Sequence, residues 1–429
     1  MFSRSVLAAA AVLCTSAVAQ AQYNITVDPK RPATATASLD LTSSQGTERT
    51  LAVRGIEWGL TSQVSDPRCG TRPLASASPA VWKVPPDCTK VSWTVRFVTA
   101  QPGKVDASEQ KSLYFSRARW WLLSEPTSLL RLQGDEGPST LSIDFKGGPM
   151  PQLGATAVAN GRWRVPSLNN APEFYAFGNI QMVEHKVDGF LVRHVADDID
   201  RVRRLGLVQA QEAAWRYLSG ITPPPPADAR PQDHQLLVIW LGVRDRDLAG
   251  GAAGSRSFVA NYFEQSEPVP QALTLTILAH EQLHQLVDMV RGVRPPLPVW
   301  VGESLAHYYG LKALARSGLD PKAIGTLRNR DIDTVRPVTA GLLEWQRRHD
   351  KGDPAAYPLF YQQGATFWAL LDAAVQKASA DKESLDTFMP QLLTSEFGPG
   401  GQLPKALVVQ LRAVAGPSID EILAKYVGS

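Results

Sequence analysis

The chain has 429 residues, 44% of them hydrophobic and 20% charged, with a formal net charge of +3. That length exceeds the roughly 150 residues of one domain, and the composition excludes a disordered chain, so two or three globular domains are expected. A near-neutral balance gives no basis for a nucleic-acid partner or for an anionic membrane surface.

In chain order, Met1–Arg4 is a short basic segment and Val6–Leu13 a continuous apolar run, followed by small-residue cleavage sites at Ala17-Val18-Ala19 and Ala19-Gln20-Ala21. This is the layout of a secretory signal peptide over residues 1–21, with a buried N-terminal helix as the alternative. Cys14 falls in the part removed. The mature protein is expected to be periplasmic or secreted, without a membrane anchor, because no later apolar run approaches the ~18 residues of a span. Two cysteines then remain, Cys69 and Cys88, and an even count in an exported protein favours a disulfide over two separate thiols.

Residues 22–195 read as a β-rich domain. Ala37–Thr42, Lys90–Phe97 and Thr140–Phe145 alternate apolar and polar residues between turn-forming clusters, the pattern of an antiparallel sandwich-like unit. Phe177–Val183 and Gly189–Val195 are expected to close it as a hairpin. Trp120-Trp121 is expected to place one ring in the core and one at the surface, with a sugar platform as the alternative.

Residues 196–429 read as an α-rich domain with a small sheet. Ile199–Leu218 has helical periodicity, Pro223–Pro226 is a stiff connector, and Leu236–Leu241 is a continuous apolar strand. A Gly/Ala/Ser loop runs from Ala249 to Ser257, and helices fill the chain from Gln271 onward, with breaks near Pro295, Pro337 and Pro399.

The helix around Leu273–Asp288 carries His280-Glu281-Gln282-Leu283-His284, the HExxH spacing. Residues four apart share a helix face, so both imidazoles can address one cation, with Glu281 beside them within reach of a water. A catalytic zinc needs a third protein ligand and an open fourth position. Val287 and Val290 stand where a metzincin has Gly and His, which removes that class. Glu303 follows His284 after eighteen residues, on a second helix opened by Pro298, and Pro295, Pro296 and Pro298 make a turn able to bring that helix back. His307, one turn on, competes as third ligand, while Asp288, one turn past His284, either orients an imidazole or is simply solvated. His185, His194, His234 and His349 lack ligand spacing.

HExxH, eighteen residues and Trp300-Val-Gly-Glu303 resemble the gluzincin aminopeptidases, and most of all the bacterial glycyl aminopeptidase family that bears a PDZ domain, here read without that domain. Tyr361-Gln-Gln-Gly-Ala is similar to that family's Tyr-x-Lys-Gly-Ala helix start, with Gln363 in place of lysine, and Gly416–Tyr426 to its last helix. The resemblance covers residues 195–427 and implies a thermolysin-like, mostly helical peptidase domain holding one zinc ion. It makes His280, His284 and Glu303 the ligands, Glu281 the general base and Tyr361 the oxyanion donor; His307 and Asp288, by helix spacing alone, are candidate neighbours of the metal shell. It also implies a peptide or protein substrate and aminopeptidase-like cleavage. Relatives carry an acid for the substrate's amine in the loop before HExxH, yet Gly250–Ser257 has none, leaving Glu264 or Glu267 as replacements. Two other functions stay open: a serine hydrolase using Ser304 in Gly302-Glu-Ser-Leu-Ala306, and a non-catalytic zinc-containing peptide-binding protein.

Overall fold

The computed structural model describes residues 21–41, 49–134, 137, 139–158, 161–224, 234–292 and 294–428. The expected signal peptide, Cys14 and part of the Pro223–Pro226 connector lie outside them. The N-terminal region is β-rich and the C-terminal part helical, as the patterning implies.

Alternation builds the first sheets: Tyr23, Ile25, Val27, Ala35, Ala37, Leu39, Val91, Trp93 and Val95 are buried at every second position of three adjacent strands. These strands belong to an eight-stranded sheet, and sheets of five and four strands complete the region. The pairing is mixed rather than antiparallel throughout, since Gln22–Val27 runs parallel to Ser139–Phe145. A partner so distant in sequence leaves no local signal. Cys69 and Cys88 form a disulfide at the end of the large sheet.

A further five-stranded sheet has the order Met182–Val187, Phe190–Ala196, Gln235–Val243, Ser257–Phe263, Gly251–Ala253. The expected first arm Phe177–Val183 is divided between two strands, Phe174–Gly178 of the N-terminal region and Met182–Val187. The hairpin Met182–Val187/Phe190–Ala196 opens this sheet, because Phe190–Ala196 pairs in parallel with Gln235–Val243. Alternation specifies which face of a strand is buried, not which sheet the strand joins. The unbroken apolar run Leu236–Leu241 follows from burial on both faces. Leu236, Val238 and Trp240 face the helical core, whereas Leu237, Ile239 and Leu241 pack on Leu122, Phe174 and Ala176 of the N-terminal five-stranded sheet. The same layering corrects the tryptophan pair. Trp120 and Trp121 are each 1% exposed, one ring in the seam between the two sheets and the other in the N-terminal core.

The expected single helix from Ile199 is two, Ile199–Arg204 and Leu207–Ile221, meeting at Gly206 with φ 69°. Among the described residues no helix is long and apolar enough to cross a membrane.

Buried polar groups stitch the seam. Glu173 accepts from the Arg256 N–H at 2.9 Å and from the Ser257 hydroxyl, and its own N–H donates to Glu125 Oε2 at 3.3 Å. Glu125 is itself paired with Arg131. Burial raises the Glu173 carboxyl from 4.5 to about 7, against the pull of Ser257 and Arg256. The folded chain therefore holds this proton more tightly than the unfolded one. The resulting stabilisation is complete below pH 4.5 and is lost as pH rises to about 7. Urea titrations from pH 5 to 8 are expected to show wild type losing on the order of 3 kcal/mol relative to Glu173→Gln. Parallel pH profiles for the two proteins would remove Glu173 from the balance.

Candidate active site

Helix Pro268–Arg291 begins with prolines in its first turn, where the missing N–H costs nothing, and presents His280 and His284 one turn apart. Their Nε2 atoms lie 3.0 Å from each other. Helix Val299–Ala313 brings Glu303 Oε2 to 3.3 Å from His280 Nε2 and 3.6 Å from His284 Nε2. Four ligand atoms arranged tetrahedrally at 2.0–2.1 Å from zinc stand about 3.3–3.4 Å apart. The three side chains fit such an ion as they stand. Among the described residues they form the one His/Cys/Asp/Glu group whose donor atoms gather within 4.8 Å.

The approach of the second helix depends on Gly310. A Cβ there would come within 2.8 Å of the Thr276 carbonyl oxygen, on the turn that precedes His280. His307 does not join the trio: its Nε2 is 3.3 Å from Asp331 Oδ2, and its ring centroid is 6.2 Å from that of His280. Asp288 does not orient an imidazole either; it accepts from the Ser255 hydroxyl at 3.1 Å.

At His280 the electrostatics suit a metal. Burial lowers His280 to about 4, leaving the neutral imidazole that a cation requires. Burial alone would raise Glu303 and lower His284, yet their mutual attraction overrides it, holding the carboxyl well below its usual range and the imidazole above its own. Glu281 is 7% exposed, and burial lifts its carboxyl to about 7, with His284 opposing, Glu303 adding and the Ala253 N–H donating to it. A carboxyl near neutrality is matched to taking and returning a proton.

Tyr361 donates to Glu303 Oε2 at 2.8 Å and lies 3.0 Å from the hydroxyl of Tyr357. It sits in a single wide π-turn, Phe360–Gly364, that leads into helix Ala365–Ser379. Such turns recur at functional sites. Gly364 is needed there because a Cβ would fall 2.2 Å from the Ser304 Cβ on the neighbouring helix. Gln363 donates to the Ala340 and Tyr426 carbonyls and so ties this turn to the C-terminal helix. Ser304 is 0% exposed, lies within helix Val299–Ala313, and accepts from Trp368 Nε1 at 2.7 Å. It has neither the exposure nor the preceding strand of a nucleophile elbow.

The centre opens into a cavity of about 480 Å³. One wall is the edge strand Gly251–Ala253, and the facing wall comes from the N-terminal region through Arg54, Gln110 and Asn170. Sequence reading missed those three and Tyr357. Tyr357 had a signal, four residues before Tyr361 on one helical face; the others are too far away in sequence to have left any. Glu264 and Glu267 pair with Arg201, Arg244 and Arg246 and are not among the residues lining the cavity.

No family model matches the sequence, and no curated protein matches it. Among solved structures, an aminopeptidase N family protein from Idiomarina loihiensis aligns over 95% of this chain and 76% of its own, with a TM-score of 0.66 at 14% identity. The two share a fold. A substituted M1 zinc metallopeptidase from Deinococcus radiodurans, solved with a Tyr-Ser-Ala substrate, aligns over 95% of this chain and 93% of its own at 16% identity. Its TM-score of 0.46 is too low to support a shared fold.

Gly310→Ala is expected to cost about 1–3 kcal/mol in urea titrations by overpacking the helix contact, and to weaken zinc retention in equilibrium dialysis. Unchanged stability and retention would show that the two helices do not depend on this approach.

Proposed function

We propose that the protein is an exported zinc peptidase in which His280, His284 and Glu303 hold one Zn²⁺ and Glu281 is the general base. The observation that carries this reading is three donor atoms at tetrahedral spacing, 3.0, 3.3 and 3.6 Å apart, inside a cavity that also holds a carboxyl tuned to about 7. Bound there, zinc supplies a Lewis acid that polarises a carbonyl and acidifies water. Glu281 removes the proton from the attacking water and returns it to the departing amine. Tyr361, within reach of the centre through Glu303, turns its phenol proton to the oxyanion that develops on the scissile carbonyl.

Gly251–Ala253 pairs with Ser257–Phe263 on one side and ends its sheet on the other. A peptide laid along that free edge gains main-chain hydrogen bonds and passes the centre in an extended form. The shared fold with an aminopeptidase N family protein supports aminopeptidase-like, gluzincin-type cleavage, and the family reading given by the Tyr361 segment is the PDZ-bearing glycyl aminopeptidases. The Cys69–Cys88 disulfide supports an oxidising location, periplasmic or secreted.

Metal analysis and a peptide-library digest test the reading. One zinc per chain is expected in wild type and in Glu281→Gln, with turnover lowered about 10²- to 10⁴-fold in the variant. Tyr361→Phe should keep the metal and lower kcat by about 10²- to 10³-fold. Equal turnover by wild type and Glu281→Gln would remove the base. A zinc-loaded wild type inert on the whole library would leave a peptide-binding protein instead.

A further inference from the structure

Among the described residues, three carboxylates line the cavity: Glu281, Asp288 and Glu303. The first and last belong to the metal centre. Asp288 is uncommitted. Among the described residues its carboxylate takes one hydrogen bond, from the Ser255 hydroxyl at 3.1 Å, and makes no ion pair. An ionised carboxylate offers about four acceptor positions, so most of this one is free to receive a donor.

Three of the neighbouring cations, Arg54, Arg291 and Arg256, have partners of their own. Arg54 donates to the Leu168 carbonyl at 3.0 Å and to the Asn170 carbonyl, with Glu125 3.7 Å from its other terminal nitrogen. Arg291 donates to the carbonyls of Pro295, Leu393 and Ser395. Arg256 donates to the Ser255 carbonyl at 3.3 Å. Burial lifts the Asp288 carboxyl above its ordinary range even though Arg256, Arg164 and Arg54 pull the other way.

Asp288 lies four residues past His284 on a continuous helix, about 6 Å along the axis. An extended peptide advances about 3.3 Å per residue, so that distance spans roughly two residues of substrate.

We propose that Asp288 anchors a positively charged nitrogen of the substrate, within about two residues of the scissile bond. The nitrogen is either an N-terminal ammonium or the side chain of a lysine or arginine; the chemistry is the same charge-assisted hydrogen bond to a carboxylate. This inference rests on the peptidase reading above.

The test uses full-length protein and matched short peptides: free against acetylated N-terminus, and lysine against norleucine at each of the two positions on either side of the cleaved bond. Wild type should favour one charged member of these pairs, and Asp288→Asn, which keeps an acceptor for Ser255, should raise KM for that member about 10- to 100-fold. The selectivity ratio then falls towards one, and Asp288→Glu restores part of it. Calorimetric binding of the same pairs to Glu281→Gln, which turns them over far more slowly, should show the same preference, lost in Glu281→Gln/Asp288→Asn. The free-amine pair responding identifies the terminus as the source; the lysine pair responding identifies a side chain. No charged preference in wild type, or a preference that survives Asp288→Asn, overturns the anchor and leaves the peptidase reading standing. A wild type that cleaves nothing overturns the peptidase reading, and the binding arm then decides the anchor by itself.

Discussion

The site depends on how closely one helix lies along another. A single helix can place two imidazoles on one face through its own geometry, but a third donor must come from a separate element held at contact distance. Here the absence of a side chain at Gly310 lets helix Val299–Ala313 rest on the Thr276 carbonyl, and Glu303 arrives between the histidines from two turns upstream. The rest of the C-terminal part serves that contact. Gly364 draws the Tyr361 turn onto the same helix, and Trp368 bonds the buried Ser304 hydroxyl behind it.

Burying two imidazoles and two carboxyls in one place has an electrostatic cost that the arrangement partly offsets. Glu303 and His284 stabilise each other's charged forms, while burial favours the neutral forms of His280 and Glu281. The two carboxyls are thus pushed apart, Glu303 towards the anion and Glu281 towards its neutral form.

What was legible in the sequence was local. HExxH, the proline that opens the second helix and the Tyr361-Gln-Gln-Gly-Ala segment are short patterns whose geometry is fixed by helix periodicity, and the structure brings their residues together. Long-range pairing was not legible. The strand Phe190–Ala196 alternates in the same way whichever sheet it joins, and only its parallel partner Gln235–Val243 decides the matter. Adjacent tryptophans point to opposite faces, but nothing local says that both faces of their strand are covered. Arg54, Gln110 and Asn170 reach the cavity from across the chain, and the contact of Asp288 with Ser255 depends on how a loop folds over a helix.

The seam between the two sheets has a consequence for how such a protein diversifies. The reactive groups stand on helices of one layer, while the opposite side of the cleft is contributed by Arg54, Gln110 and Asn170 of another. Small drifts in how the layers sit against each other, through Leu122, Phe174 or their partners Leu237 and Ile239, change the width of the cleft and leave the reactive groups untouched. The width of the cleft and the geometry of the trio are thus set by different packing layers.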